Sequence, residues 1–141
     1  ALTHRPPLNW RGAIDTRKVG GREVIDLKLQ GTAIFVDAAR IYSLAHGVAA
    51  TGTRGRLEGV AAALGLEPTE GSAWVDGFEY LQSLRLQVQL EAPEDPSSGA
   101  AAENPNLIDI EALNDIDRRV LRETLRVARR LQQRLELDYQ R

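Results

Sequence analysis

Three charged residues stand alone within apolar stretches of this sequence, and they are the first candidates for chemistry. Between positions 29 and 47 the only Asp, Glu, Lys or Arg residues are Asp37 and Arg40, and between positions 80 and 90 the only one is Arg85. A charge is costly to bury unless it is paired and hydrogen-bonded. Each of these residues is therefore either locked in a structural ion pair or available to a ligand.

Asp37 and Arg40 are three residues apart, so on a helix they share a face and can pair. One interpretation is a buried ion pair that only stabilises the fold. The other is a polar pocket in which Arg40 meets a phosphate or carboxylate group, which suits the planar guanidinium. The same two alternatives apply to Arg85. Their isolation predicts that Asp37 and Arg40 lie in or beside the protein interior, facing the helix that carries Arg85.

Two further cations complete the candidate ligand site. Lys28 lies at the start of the first predicted helix, and Arg56 lies near the start of the second. Arg54 and Arg56 both open the second predicted helix, and cations are unfavourable at the positive end of a helix dipole unless an anion is close. The alternative is that these two arginines are simply solvated. We expect any ligand to be bound by Lys28, Arg40, Arg56 and Arg85, with Asp37 orienting Arg40.

Two acidic pairs could in principle hold metal ions: Asp109 with Glu111, and Asp115 with Asp117. Such a pair can bind two Mg²⁺ ions for phosphoryl transfer. In polymerase-like nucleotidyltransferases it follows closely after a Gly-Ser pair that opens a helix. Here the Gly-Ser pair at positions 71 and 72 is separated from Asp109 by a whole predicted helix. Both acidic pairs precede or open helices, where acids are favoured as caps. The sequence therefore predicts capping at both pairs, and neither a catalytic residue nor a metal site.

Composition excludes several classes of protein. The 141 residues carry a net charge of -2, which disfavours general binding to nucleic acid, and they include no cysteine for disulfides or thiolate metal sites. The two histidines lack zinc-ligand spacing. No apolar run has the length of a membrane span and no signal peptide is present, so we expect a cytoplasmic protein. Methionine is absent even at position 1, which suggests a fragment of a longer protein, a processed start being the alternative.

Apolar residues recur at helical spacing through most of the chain. The first predicted helix is apolar almost all round, as expected for the central helix of a bundle. The sequence therefore predicts an all-α helical bundle with four main helices and one short one. The predicted elements are helices at Asp26–His46, Arg54–Leu64, Glu70–Glu91 and Asp115–Tyr139, and a short turn or helix at Leu107–Leu113.

Two segments do not have helical character. Residues 1–25 contain Pro6-Pro7, which favours extended backbone, and Gly20-Gly21, which is a weak hairpin signal. We interpret them as an extended lead-in from an upstream domain, and residues 26–141 as the bundle domain. Residues 92–106 are rich in Pro, Ser, Gly and Ala, and they are predicted to be the least ordered internal segment.

Short motifs in this order resemble a bacterial family, the nucleotidyltransferase substrate-binding domain. The resemblance covers residues 6 to 139. The motifs that carry it are Asp26-Leu27-Lys28, Gly31, Val36-Asp37-Ala38-Ala39-Arg40, Gly47, Thr53 with Arg56-Leu57, Leu81-Gln82-Ser83-Leu84-Arg85-Leu86-Gln87, Asn106 with Ile108-Asp109, and Leu131-Gln132.

The resemblance implies a non-catalytic helical bundle that binds and positions a substrate. In this family the domain follows a nucleotidyltransferase domain, within bacterial signal-transduction proteins that also carry cyclic-nucleotide-binding-like and CBS modules. NTP and Mg²⁺ would bind that upstream domain of the same chain, and no cofactor is expected here. The acceptor would be a protein or a small molecule. Neither a nucleic acid nor a membrane is expected as a partner.

The alternative function is a structural interaction or dimerisation module. In that case the charged cluster, which consists of Lys28, Asp37, Arg40, Arg56 and Arg85, only stabilises the packing of the core. A cluster open to solvent favours substrate binding, whereas a cluster sealed by internal hydrogen bonds favours the structural role.

Overall fold

A small antiparallel sheet lies beside the helices and joins the N-terminal segment to the segment that precedes the last helix. The computed structural model describes residues 17–19, 21–91 and 106–139. Strand β1 (Arg17–Val19) pairs with β2 (Arg22–Asp26), and β2 pairs on its other edge with β3 (Leu107–Asp109). Gly21 has a φ of 81° in the β1–β2 connection, a conformation that glycine adopts without strain. The hairpin signal at this position is confirmed.

The two strands β2 and β3 correct the sequence prediction. Asp26 ends β2 instead of starting a helix, and Leu107–Asp109 is a strand followed by one 3₁₀ turn, Ile110–Ala112. Ile25 pairs with Ile108, and both side chains are buried. Short strands of this kind are stabilised by a partner distant in sequence, so local spacing did not reveal them.

The helices confirm the predicted all-α bundle. A single π-helical turn at Lys28–Thr32 leads directly into α1 (Ala33–His46). The remaining helices are α2 (Thr53–Ala63), α3 (Pro68–Glu91) and α4 (Asp115–Tyr139). Gly47 ends α1 with a φ of 68°, as a C-cap glycine does. None of the described helices has both the length and the apolar character needed to cross a membrane.

Side-chain pairings give the direction of each helix. Helix α3 is antiparallel to both of its neighbours. Arg54 at the start of α2 bonds Glu79, and Arg134 near the end of α4 bonds Glu70 near the start of α3. Helices α1 and α4 run in the same direction, since the Tyr42 hydroxyl donates to Asp138 at their common C-terminal end. Helix α3 therefore lies diagonally across the bundle from α1.

The centre of the bundle is an aromatic contact across this diagonal. The ring centroids of Phe35 on α1 and Phe78 on α3 are 6.2 Å apart. Gly77 makes room for the contact, because a Cβ at this position would lie 3.2 Å from Phe35 Cζ and 3.4 Å from Thr124 Cγ2. Around this contact the core is aliphatic, with fully buried leucines from three helices: Leu57, Leu81, Leu121, Leu125, Leu131 and Leu135.

Two predictions concern segments outside the described residues. Residues 1–16 and 92–105 are not described, so the order of the 92–106 loop stays a prediction. Within the predicted lead-in, strands β1 and β2 are extended, and Ile25 is completely buried in the core. The proposed division of the chain at residue 25 also stays a prediction.

Candidate functional site

Arg85 is held in place by neutral groups from three parts of the fold. Its Nε donates to Asn106 Oδ1 at 2.9 Å, just before β3. Its Nη1 donates to Thr32 Oγ1 at 3.3 Å, at the start of α1, and to Gln82 Oε1 at 3.0 Å, one turn earlier on α3. The side chain is half-buried. These contacts orient the guanidinium without neutralising its charge.

The Nη2 group of Arg85 is available for a ligand. Its two N–H groups donate to no described residue, and no described carboxylate forms an ion pair with Arg85. Guanidinium remains protonated in proteins, so Arg85 is a half-buried cation without a described counter-charge. Charge-assisted hydrogen bonds to carboxylate or phosphate are among the strongest that arginine makes. The arrangement can therefore bind an anionic group at the protein surface.

A reciprocal cap at Asp26 fixes the turn that supplies Thr32. The Asp26 Oδ1 accepts hydrogen bonds from the backbone N–H groups of Lys28 and Leu29, each at 2.9 Å. In return, the Asp26 backbone N–H donates to Gln30 Oε1 at 2.8 Å. This is the logic of a capping box, with the second side chain one residue later because the first turn is π-helical. Asp26 is buried and has a positioning role.

Lys28 lies on the same side of this turn as Thr32. The two residues are four positions apart, and Thr32 Oγ1 lies 3.4 Å from the Lys28 carbonyl oxygen. Residues at this spacing project from one face of a helix. The Lys28 side chain is exposed. Lys28 therefore lies one turn before a residue that contacts Arg85, and its place in a common ligand site stays a prediction.

Asp37 and Arg40 form the predicted pair, but not in the predicted place. Arg40 Nη2 lies 3.2 Å from Asp37 Oδ1, and the Arg40 and Asp37 side chains are 55% and 18% exposed. Arg40 lies on the outward side of α1, opposite the buried residues Phe35 and Ala39. The expectation that Arg40 lies in or beside the interior is wrong, because an almost wholly apolar helix does not reveal which face its neighbours cover. Asp37 is mostly buried.

The free energy of unfolding should change little in Asp37→Ala. An i,i+3 ion pair with one exposed partner contributes about 0.3–0.5 kcal/mol. Chemical denaturation of the variant and the wild type at low and high salt measures this difference. A loss of about 3 kcal/mol or more, the size expected when a buried pair loses one partner, would show that the exposed Arg40 does not weaken this pair and that it acts as a buried pair.

Arg56 is fixed to a loop and makes no described contact with Arg85. Its Nε donates to the Ala50 carbonyl oxygen at 3.0 Å, in the segment between α1 and α2. Its neighbour Arg54 bonds Glu58 and Glu79, and these carboxylates raise the pKa of Arg54 above its usual value. No hydrogen bond or ion pair among the described residues joins Lys28, Arg40 or Arg56 to Arg85. The grouping of these cations around one ligand stays a prediction.

One of the two acidic pairs has capping geometry, whereas α4 is capped by Asn114, whose Oδ1 accepts from the Asp117 backbone N–H at 2.7 Å. The Asp109 side chain accepts from the Glu111 backbone N–H at 3.0 Å and caps the 3₁₀ turn. Asp115 pairs with Arg118 in the first turn of α4. The predicted interpretation as helix caps is confirmed for Asp109. No group of three or more potential ligands for a metal ion is found in the described ranges.

One buried phenol is a strong hydrogen-bond donor. The Tyr42 hydroxyl donates to Asp138 Oδ2 at 2.6 Å. Burial raises the pKa of Tyr42 well above its usual value, and the bond to Asp138 raises it further. Tyr42 therefore stays protonated at neutral pH and joins α1 to α4 instead of acting as a base.

Three partners of Arg85 were not among the predicted site residues: Thr32, Gln82 and Asn106. Gln82 lies three residues before Arg85 on the same helix, so spacing alone could have indicated it. Gln82 and Asn106 also lie within the motifs that carry the family resemblance. No local pattern indicated Thr32, because its contact with Arg85 depends on how α1 and α3 pack.

Comparison with known proteins agrees with the resemblance. A family model described as "Putative nucleotidyltransferase substrate binding domain" matches residues 1–139. No curated protein and no solved structure matches the chain significantly. Because the match to the family model covers nearly the whole chain, the chain belongs to the nucleotidyltransferase substrate-binding domain family.

Proposed function

We propose that this domain binds the acceptor substrate of a nucleotidyltransferase and holds it against an NTP bound by a separate catalytic domain. The chain itself supplies no catalytic group in this proposal. The observation that carries it is the half-buried Arg85 guanidinium, fixed by neutral acceptors and with its Nη2 group unused by described residues.

The chemistry of nucleotidyl transfer suits a division of labour between two domains. The acceptor nucleophile attacks the α-phosphorus of the NTP, and pyrophosphate leaves with the electrons of the broken bond. Mg²⁺ and the catalytic carboxylates belong to the domain that binds the NTP. Positioning of the two reactants can supply about 7–11 kcal/mol of the barrier reduction. Arg85 would contribute by anchoring an anionic group of the acceptor, with Lys28 as a second cation.

The family resemblance supports a particular parent protein. In this proposal the chain is the C-terminal part of a bacterial, cytoplasmic signal-transduction protein. An upstream nucleotidyltransferase domain of the same chain is its partner, and cyclic-nucleotide-binding-like and CBS modules sense the signal. In this proposal Arg40, on the outward face of α1, and Arg56, beside the α1–α2 loop, do not contact the group that Arg85 binds.

The test is Arg85→Gln in a protein that joins this domain to its nucleotidyltransferase domain. The readout is transfer from labelled ATP, UTP and CTP with Mg²⁺ to the protein and small-molecule fractions of a cell extract. We expect the variant to lose at least tenfold in labelling at low extract concentration while its affinity for the NTP stays unchanged. The glutamine keeps a hydrogen-bonding side chain but removes the charge.

Arg126→Gln is the matched control, because Arg126 lies on the solvent side of α4 and pairs only with Glu123 among described residues. It should label the extract like the wild type. The isolated chain, incubated with the same nucleotides, should transfer nothing. Unchanged labelling by a folded Arg85→Gln protein would show that Arg85 has a structural role only.

A second candidate is an interaction or dimerisation module, and exposed apolar residues favour it. Leu44 and Leu137 are 81% and 80% exposed. They lie near the C-terminal ends of α1 and α4, which are adjacent in the bundle. Sedimentation of the isolated chain between low and high concentration tests this role. A dimer that Leu44→Glu dissociates would support it, and a monomer throughout would exclude self-association through these residues.

A further inference from the structure

A cleft between α3 and α4 lies well away from Arg85. It has a volume of about 480 Å³, and its apolar wall is formed by Ala73, Trp74, Val127 and Leu131. Trp74 precedes Arg85 by about three helical turns, or about 16 Å along α3. Clefts that bind small molecules typically have volumes of about 300–1,000 Å³ and contain a few convergent polar groups.

Trp74 supplies an unused donor to this cleft. The residue is only 3% exposed, yet its indole N–H donates no hydrogen bond to a described residue. The indole nitrogen is also not among the polar atoms sealed from solvent. Because so little of Trp74 is exposed and the residue lines the cleft, the part of the ring that reaches solvent includes the N–H. Buried indole groups normally find an acceptor.

Two further features make the cleft favourable for negative charge. Arg130 lines it and forms no ion pair with any described residue, although other arginines of α4 do. Thr69 in the first turn of α3 also lines it, at the positive end of a 24-residue helix. The carboxylate in the cleft, Glu70, is 3.5 Å from Arg134 and is partly neutralised.

We propose that this cleft is a second ligand site, which binds a small organic anion. The ligand has an apolar body that lies against Ala73, Val127 and Leu131, and one carboxylate or phosphate group. That group accepts a hydrogen bond from the Trp74 indole and meets the Arg130 guanidinium. The site goes beyond the proposed function, because it shares no residue with the Arg85 contact and can be tested on the isolated chain.

Trp74 itself reports binding. In a Trp10→Phe background Trp74 is the only tryptophan, since the chain has two. Benzoate and phenyl phosphate are the probes, at constant ionic strength, and benzamide is the neutral probe of similar size. We expect a saturable change of Trp74 emission with at least one anion and at least tenfold weaker binding of benzamide. The two anions show whether carboxylate or phosphate is preferred.

Arg130→Gln should weaken binding of the preferred anion at least tenfold, and Arg126→Gln, one turn away on α4, should leave it unchanged. Trp74→Phe, followed by calorimetry, should also weaken binding while thermal denaturation shows the folded bundle. Equal binding of benzamide and the anions, or unchanged binding in Arg130→Gln, would overturn the proposal. The absence of any saturable change in a folded protein would overturn it as well.

Discussion

Phe35→Ala should lower the free energy of unfolding by about 3–5 kcal/mol, the range for removing a buried aromatic ring. The ring is completely buried and contacts Phe78 across the bundle. Its loss leaves a cavity where α1 and α3 meet, beside Gly77 and Thr124. Urea denaturation followed by circular dichroism measures the change.

Leu44→Ala is the control for Phe35→Ala, because Leu44 lies on the same helix but is 81% exposed. Surface substitutions typically change stability by less than about 0.5 kcal/mol. Similar losses in the two variants would mean that α1 is packed through a different face from the one described.

Asp26→Ala should cost about 2 kcal/mol, the upper part of the range for an N-cap. The substitution leaves the backbone N–H groups of Lys28 and Leu29 without their acceptor. It also weakens the turn that holds the Gln30 side chain against the backbone N–H of residue 26. We expect the backbone amides of this turn to be the first to lose their protection against hydrogen exchange. Amide hydrogen exchange at residues 28–32, together with denaturation, measures both effects.

Asp26→Asn distinguishes capping from charge, because the amide oxygen can still accept both backbone hydrogen bonds. The asparagine variant should retain most of the stability that alanine loses. If asparagine were as damaging as alanine, the negative charge of Asp26 and not its cap would be the stabilising feature.

The helices of this chain could be predicted because their evidence is local. Leu121, Leu125, Ala128, Leu131 and Leu135 repeat at helical spacing on α4, and all five are buried. Gly47 and Pro68 mark helix ends by their backbone chemistry alone. The bundle follows from such patterns without knowledge of the tertiary contacts.

The sheet could not be predicted in the same way. Leu107–Asp109 is too short to show alternation, and Ile108 is buried because it pairs with Ile25. The same limit applies to Asp26. Its type and position suit a helix start, but its backbone belongs to β2 while its side chain caps the following turn.

The charged site was predictable only in part. The isolation of Arg85 in an apolar helix correctly indicated an unusual environment, and the residue is held by three side chains. The same reasoning failed for Arg40, because a single sequence does not show which side of α1 faces solvent. The grouping of Arg56 with Arg85 stays a prediction, because charge type carries no information on distance.

The pairing of β2 with β3 has a consequence for synthesis of the protein. Strand β2 is made before the helices, but its second neighbour β3 is made roughly 80 residues later. At about 5–20 residues per second, the ribosome needs roughly 4–16 s to supply it. During that interval Ile25 and Leu27, both completely or almost completely buried in the finished domain, lack their cover. A nascent chain halted in α3 would expose an apolar strand edge to chaperones. The chaperone would be displaced only after β3 has been synthesised and has paired with β2.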